Sequence, residues 1–308
     1  MTASVRGRVV LVTGPARGIG AELARRLAAR GARLALVGRE PERLAALAAE
    51  LGEGHVWFEC DVTDQPSLDA AVAGAVRALG GLDVVVANAG VASNGTVAVT
   101  PVDALVRTIE VNLVGVVRTV SATLPHVVDR RGYFLLVSSA AALAPLPGLS
   151  AYAASKSGVE QFGNVLRMEM ARLGVAVGVA HPSWVDTDMV RDQQRDLETF
   201  EEMRATLPGP FGSLTSVEEC ADAFVRAIER RARKVFVPAS LAPFAAVRQL
   251  FASPLAERVV GRLSRRLLPK LEREVRALGR SFGATSAELG PGGAARSSGG
   301  PIARGTHD

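Results

Sequence analysis

Cysteine, histidine, lysine and tyrosine are all scarce in this chain. Its 308 residues hold two cysteines and four histidines. Cys60 and Cys220 are too few for a disulfide framework and lack the paired spacing of a metal knuckle. The scattered histidines form no HExxH-like ligand cluster, so no metal site is expected. A long uninterrupted apolar run is missing as well. Val9–Val12 is too short for a signal-peptide core and runs at once into a glycine turn. Phe134–Ala151 is apolar but broken by serines, Pro145, Pro147 and Gly148, which argues against a spanning helix. These absences lead to the expectation of a soluble, cytoplasmic protein. With 48% hydrophobic and 22% charged residues, the chain has ample material for a core, and global disorder is excluded.

Charge is unevenly spread. The net +5 comes from 36 basic and 31 acidic residues, and only three of the basic ones are lysine. Between Arg226 and Arg280 there are 14 Lys/Arg against 4 Asp/Glu, whereas residues 1–225 hold 20 against 25. The last 28 residues are neutral, with two of each sign. A mildly acidic body is therefore followed by one strongly basic segment.

Short apolar runs alternate with helix-like segments through the first 240 residues. Strands are predicted at Arg8–Thr13, Arg33–Gly38, His55–Cys60, Asp83–Asn88, Tyr133–Ser138, Val175–His181 and Lys234–Val237. Their nearly continuous apolar character suits strands covered on both faces. The intervening Ala21–Arg30, Pro41–Leu51 and Pro66–Leu79 read as helices, with Pro41 and Pro66 in the first turn where proline is tolerated. The repeat predicts an α/β fold, a doubly wound parallel seven-stranded sheet with right-handed crossovers. Beyond Pro238, Leu255, Val259, Val260, Leu263, Leu267, Leu268, Leu271, Val275 and Leu278 form one apolar stripe on a basic amphipathic helix. Pro269 is expected to kink or split it. The expected organisation is a catalytic domain over residues 1–240, a helical extension over 241–280 and a disordered tail over 281–308.

Three constellations carry chemistry. The first predicted strand ends in Thr13-Gly14-Pro15-Ala16-Arg17-Gly18-Ile19-Gly20 and runs into a helix. Such glycines let the backbone approach a pyrophosphate, whose charge meets free N–H groups at a helix N-terminus. The second strand ends in Gly38-Arg39, with no acid at position 38 to accept from a ribose 2′-hydroxyl. Arg39, helped by Arg17, suits a 2′-phosphate, which favours NADP(H) over NAD(H). The third constellation is Ser139, Tyr152 and Lys156. Tyr152 and Lys156 are four apart on a helical stretch and share a face. A neighbouring ammonium is expected to lower the phenol from its reference pKa of about 10, so that it can exchange a proton near neutrality. Ser139 ends a strand at the carboxyl edge of the sheet, where open α/β folds bind ligands.

With these motifs the chain resembles a classical short-chain dehydrogenase/reductase from about Val9 to Val237. Gly14, Gly18, Ile19 and Gly20 match the family's TGxxxGIG turn. In Cys60-Asp61-Val62, Asp61 matches the acid that contacts the adenine amine, and Val62 follows it at the cofactor. Asn88-Ala89-Gly90 matches the family's NAG segment beside the cofactor. Asn112 matches the tetrad asparagine, and Ser139 precedes Tyr152 by the usual separation within a YxxxK pattern. The resemblance implies that Tyr152 donates a proton to a carbonyl oxygen that Ser139 also holds. It further implies that Lys156 assists Tyr152 and holds the nicotinamide ribose, and that Asn112 positions a water beside Lys156. Val185 and Thr187 are implied contacts of the nicotinamide carboxamide. Ser183 stands where the family has glycine, a loss of backbone freedom. A homodimer or homotetramer built on helices around Thr108–Val128 and Ser155–Leu173 is also implied.

The substrate is expected to be a small, fairly hydrophobic ketone or aldehyde, or the corresponding secondary alcohol. Reduction is the favoured direction, because the cytosolic NADP pool is kept reduced. The loop 188–213, with Met189, Phe200, Met203, Leu207 and Phe211, reads as its lid. His181, without an acid partner in the pattern, reads as a strand-end residue. Other classes stay open: a dinucleotide-sensing protein with little turnover, or an enzyme held at a membrane surface by residues 254–280. Nucleic acid is disfavoured, since that helix lacks interleaved aromatics.

Overall fold

The computed structural model describes residues 4–289. Its strands are β1 (Val9–Thr13), β2 (Arg33–Gly38), β3 (Val56–Glu59), β4 (Val84–Ala87), β5 (Tyr133–Val137), β6 (Ala176–Pro182), β7 (Trp184–Val185), β8 (Leu214–Thr215) and β9 (Lys234–Val237). The helices are α1 (Gly18–Ala29), α2 (Pro41–Leu51), α3 (Gln65–Leu79), α4 (Val102–Ile109), α5 (Gly115–Asp129) and α6 (Ser150–Met170). Then follow α7 (Asp188–Asp196), α8 (Glu198–Ala205), α9 (Val217–Arg230), α10 (Ala242–Ala246) and α11 (Pro254–Leu278).

Seven strands form one sheet in the order β3-β2-β1-β4-β5-β6-β9, every pair parallel. All seven predicted strands are present, each within a residue or so of its expected ends. The chain order reverses beside β1, and a crevice opens there at the carboxyl ends of β1 and β4. Alternation along the strands divides the core between two faces. Val10, Val12, Leu34 and Leu36 pack with Leu23 and Leu27 of α1 and Phe224 and Ile228 of α9. Leu11, Val37, Val85 and Leu136 pack with Val72 of α3, Val120 of α5 and Val159 and Leu166 of α6. Fully burying each such side chain contributes about 1.5–3 kcal/mol, so the strand ends that carry the site rest on a rigid base.

Two expectations about the C-terminal segment need correction. Of the kink or split expected at Pro269, the split does not occur, because α11 runs through that residue as one helix. The proline costs one backbone hydrogen bond, but Leu267, Leu268, Leu271 and Val275 fasten the helix to the body on both sides of it. The disordered tail does not begin at residue 281. Phe282 is fully buried and bridges antiparallel to Ser93, and the amide of Asn94 donates to the carbonyl of Ser281 at 2.7 Å. One large apolar side chain with a pocket to fill is enough to order this stretch, in spite of its Gly/Ser composition. Residues 290–308 of the expected tail lie outside the described residues.

Candidate active site

The crevice deepens into a cavity of about 640 Å³ lined from the glycine turn to α11. At one end, Gly14 takes φ +66° and Gly18 φ +54°, backbone that only glycine adopts cheaply. A Cβ on Gly14 would lie 2.9 Å from the Cα of Ala89. The turns after β1 and β4 thus touch. Asn88 locks them, its Nδ2 donating to the carbonyls of Thr13 and Gly14 at 3.1 Å each. Thr13 Oγ1 accepts from the amides of Asn88 and Ala89 at 3.0 and 3.1 Å. Helix α1 starts at Gly18 with no side-chain cap and no acid in its first turn. Its first N–H groups and its positive end therefore face the cavity, a fit for the pyrophosphate of a dinucleotide. Gly20 lies behind this surface, where a Cβ would sit 2.5 Å from the carbonyl of Gly14, so it serves close packing.

At the adenine end, Arg17, Arg39, Asp61 and Val62 all line the cavity. Burial would raise the carboxyl of Asp61, but hydrogen bonds from Thr63 and the Arg107 guanidinium at 2.7 Å hold it below the usual range. Arg39 stands 3.6 Å from the same carboxylate. Arg17 is ion-paired with Glu40, a cavity-lining acid one position beyond Arg39. Sequence reasoning missed Glu40 because it looked for an acid only at position 38.

At the far end of the same cavity, Ser139, Tyr152 and Lys156 converge. Ser139 follows β5. Its Oγ accepts from the amide of Ala141 at 3.1 Å and lies 3.4 Å from the Pro182 carbonyl it can donate to. Lys156 is buried, with Nζ donating to the carbonyl of Val137 at 2.9 Å and standing 5.7 Å from the centre of the Tyr152 ring. Burial lowers its pKa to about 8. The phenol of Tyr152 is raised, not lowered as expected. Burial dominates, Ser139 partly offsets it, and the Lys156 ammonium points to a backbone carbonyl instead.

Asn112 stands near Lys156, with Gly90 between them. It sits in a π-helical turn, Glu110–Val114, between α4 and α5, a feature often found at functional sites. Its side chain is fully buried and already engaged. Oδ1 accepts from the amide of Val91 at 2.8 Å, while Nδ2 donates to the carbonyl of Val91 and the hydroxyl of Ser155 at 2.9 and 3.1 Å. Asn112 therefore ties the segment after β4 to α6. A Cβ on Gly90 would lie 3.2 Å from Asn112 Oδ1 and 3.4 Å from Lys156 Nζ, so Gly90 keeps that corner open.

Ala89, Gly90, Val185 and Thr187 line the cavity between its two ends, as does Ser183. Ser183 is outside the left-handed region, and its amide donates to the carbonyl of Val237 at 2.8 Å, so no glycine is needed there. The segment read as a loop over 188–213 is largely helical. The remaining walls are mostly apolar: Leu146, Leu149, Leu207 and Phe211, with Met189 and Val190 from α7, Met203 from α8, and Val260, Leu267 and Leu268 from α11. Phe200 is not among them; it turns away to stack edge-on against Trp184 at 5.1 Å. Among the described residues, no lysine or arginine lines this half apart from Lys156.

Side chains stitch the C-terminal segment to α7 and α8. Asp192 accepts from the amide and hydroxyl of Thr285 at 2.8 and 2.7 Å, Thr199 donates to Glu274 at 2.6 Å, and Arg280 donates to Asp196 at 2.7 Å. Behind Lys156, Glu160 meets Arg248, Lys234 and His181 at 2.7, 3.4 and 3.6 Å. His181 thus does have an acid partner, though it lies behind the cavity wall. Glu160 falls four residues after Lys156 on the same helical face, a spacing that could have revealed it.

A family model described as short chain dehydrogenase matches residues 8–198. Among curated proteins, the chain is 35% identical over 195 residues to the mouse "Dehydrogenase/reductase SDR family member 7B", covering 61% of this chain and 60% of that one. It is 32% identical over 212 residues to a human "3-oxoacyl-[acyl-carrier-protein] reductase", covering 68% and 87%. The chain spans about 60% of the length of the mouse relative and 15% of a fungal "Glycine betaine reductase ATRR" from Emericella nidulans that it also matches. A crystal structure of a short chain dehydrogenase/reductase from Burkholderia phymatum in complex with NAD shares the fold, with a TM-score of 0.70 at 20% identity over 79% of this chain and 93% of that one. The chain belongs to the short chain dehydrogenase family of oxidoreductases.

Proposed function

We propose that this protein is a cytoplasmic reductase that uses NADPH to reduce a ketone or aldehyde on a hydrophobic molecule. The observation that carries the reading is the convergence of Ser139, Tyr152 and Lys156 at one end of a cavity whose other end is an uncapped helix N-terminus. A nicotinamide dinucleotide, when bound, supplies the hydride. Tyr152, whose buried phenol is protonated, gives its proton to the carbonyl oxygen. Ser139 Oγ hydrogen-bonds the same oxygen as negative charge develops on it. Lys156, with its pKa lowered to about 8, can pass a proton to Tyr152 near neutral pH. The apolar walls without a cationic anchor suit a neutral, lipophilic substrate. The exposed Val117, Val165 and Met168 on α5 and α6 suit subunit packing in a homodimer or homotetramer.

Tyr152→Phe is expected to leave dinucleotide affinity nearly intact, measured by fluorescence titration, while turnover falls by about 1000-fold or more. Turnover retained on a verified substrate contradicts the assignment. One observation favours a second reading, NAD(H): Glu40, paired with Arg17, could accept from a ribose 2′-hydroxyl. Arg39→Ala decides between them. Under the NADPH reading, KM for NADPH rises about 10-fold or more and KM for NADH hardly changes; equal effects favour NAD(H).

A further inference from the structure

Helix α11 has two different faces. Leu267, Leu268, Leu271 and Val275 point into the body, while Arg258, Arg262, Arg265, Arg266, Arg273 and Arg276 are exposed on the opposite side. Among the described residues, Arg258, Arg262, Arg265 and Arg273 form no ion pair, and Arg276 reaches only Glu272 at 3.9 Å. Val259 is 59% exposed and also lines the cavity, so it stands at the mouth, as do the exposed Pro145, Thr206 and Pro208. In the turn that leads into α11, Val247 and Leu250 are 47% and 65% exposed. The mouth of an apolar cavity is therefore rimmed by solvent-facing apolar side chains and bordered by unpaired arginines.

We propose that this face of α11, together with Val247 and Leu250, docks on an anionic lipid bilayer, so that the cavity takes a carbonyl compound partitioned into that bilayer. Arginine stems can lie along the headgroups with their charges on lipid phosphates, while the apolar rim enters the acyl boundary. Nucleic acid would answer the charge but leave the apolar rim without a partner. A second copy on a two-fold axis would set arginine against arginine. The body cannot cover this face, because α11 already spends its apolar side on the body. The docking half of the proposal stands independently of the reaction; the substrate half rests on the reductase reading above.

The test is flotation of the full chain with vesicles of phosphatidylcholine alone or mixed with phosphatidylglycerol. The unaltered protein is expected to float with the anionic vesicles only. A triple R258E/R262E/R265E variant, none of whose changed residues lines the cavity, should partition about 100-fold less. Val247→Ser with Leu250→Ser should lose about 10-fold, mostly the part that resists added salt. Circular dichroism and reduction of a water-soluble carbonyl check that both variants are folded. Anionic vesicles should lower KM for a long-chain ketone with the unaltered protein and not with the triple variant. Equal flotation of the unaltered and triple proteins, no flotation at all, or tighter binding to duplex DNA than to anionic vesicles overturns the docking. Flotation with no carbonyl turnover anywhere supports the docking and overturns the reductase reading.

Discussion

The two ends of the cavity are built by different means. The dinucleotide end is made of main chain: glycine turns, strand ends and a helix N-terminus, fixed by Asn88 and Thr13 over a sheet buried on both faces. The substrate end is made of side chains from segments far apart in the chain, joined by Asp192 to Thr285, Thr199 to Glu274 and Glu160 to Arg248. Main-chain construction holds one geometry for one unvarying ligand. Side-chain stitching can be rewired without disturbing the sheet, which suits the part that sets substrate choice.

The sharpest way to break this contrast is at Gly14. Gly14→Val forces a β-branched residue to φ +66° and drives its Cβ into Ala89. Dinucleotide affinity is expected to fall about 100-fold or more by titration, because no side-chain rearrangement can relieve a backbone clash. Next comes Asp192→Ala at the other end, which removes both hydrogen bonds to Thr285 and leaves buried donors unpaired. A loss of about 3 kcal/mol in stability is expected by urea denaturation, with KM for the carbonyl raised and dinucleotide affinity unchanged. An equal loss in both affinities would mean that the two ends are not separate constructions.

The smallest effect is expected behind the substrate end. Burial would raise the carboxyl of Glu160, but His181, Arg248 and Lys234 hold it down at about 2. The pairing therefore stabilises the fold fully above the ordinary value of about 4.5 and is lost as pH falls from there toward 2. Glu160→Gln is expected to cost about 2 kcal/mol at neutral pH, allowing for the partly exposed cations. The gap to the unaltered protein should close as the pH falls through that window; a pH-independent gap would point to packing alone.

The same division explains what was legible in the sequence. Strands buried on both faces write themselves as apolar runs, and glycine turns are spelled in consecutive residues, so Arg33–Gly38 and Lys234–Val237 were read with their observed ends. Ser139, Tyr152 and Lys156 were legible because strand and helix geometry fixes their meeting. Glu40 pairing with Arg17, Asp192 with Thr285 and the burial of Phe282 were not, since each joins residues that no local period relates. The raised pKa of Tyr152 is not legible for a similar reason: sequence spacing supplies the neighbouring lysine but not the depth of burial.

The most direct measurement is NADPH and NADH oxidation over a panel of ketones and aldehydes of increasing chain length, with Tyr152→Phe as the blank. Turnover that prefers NADPH, grows with the apolar length of the carbonyl and vanishes in the blank is the expected result. Turnover that persists in the blank, or no turnover on any carbonyl with either dinucleotide, contradicts the account.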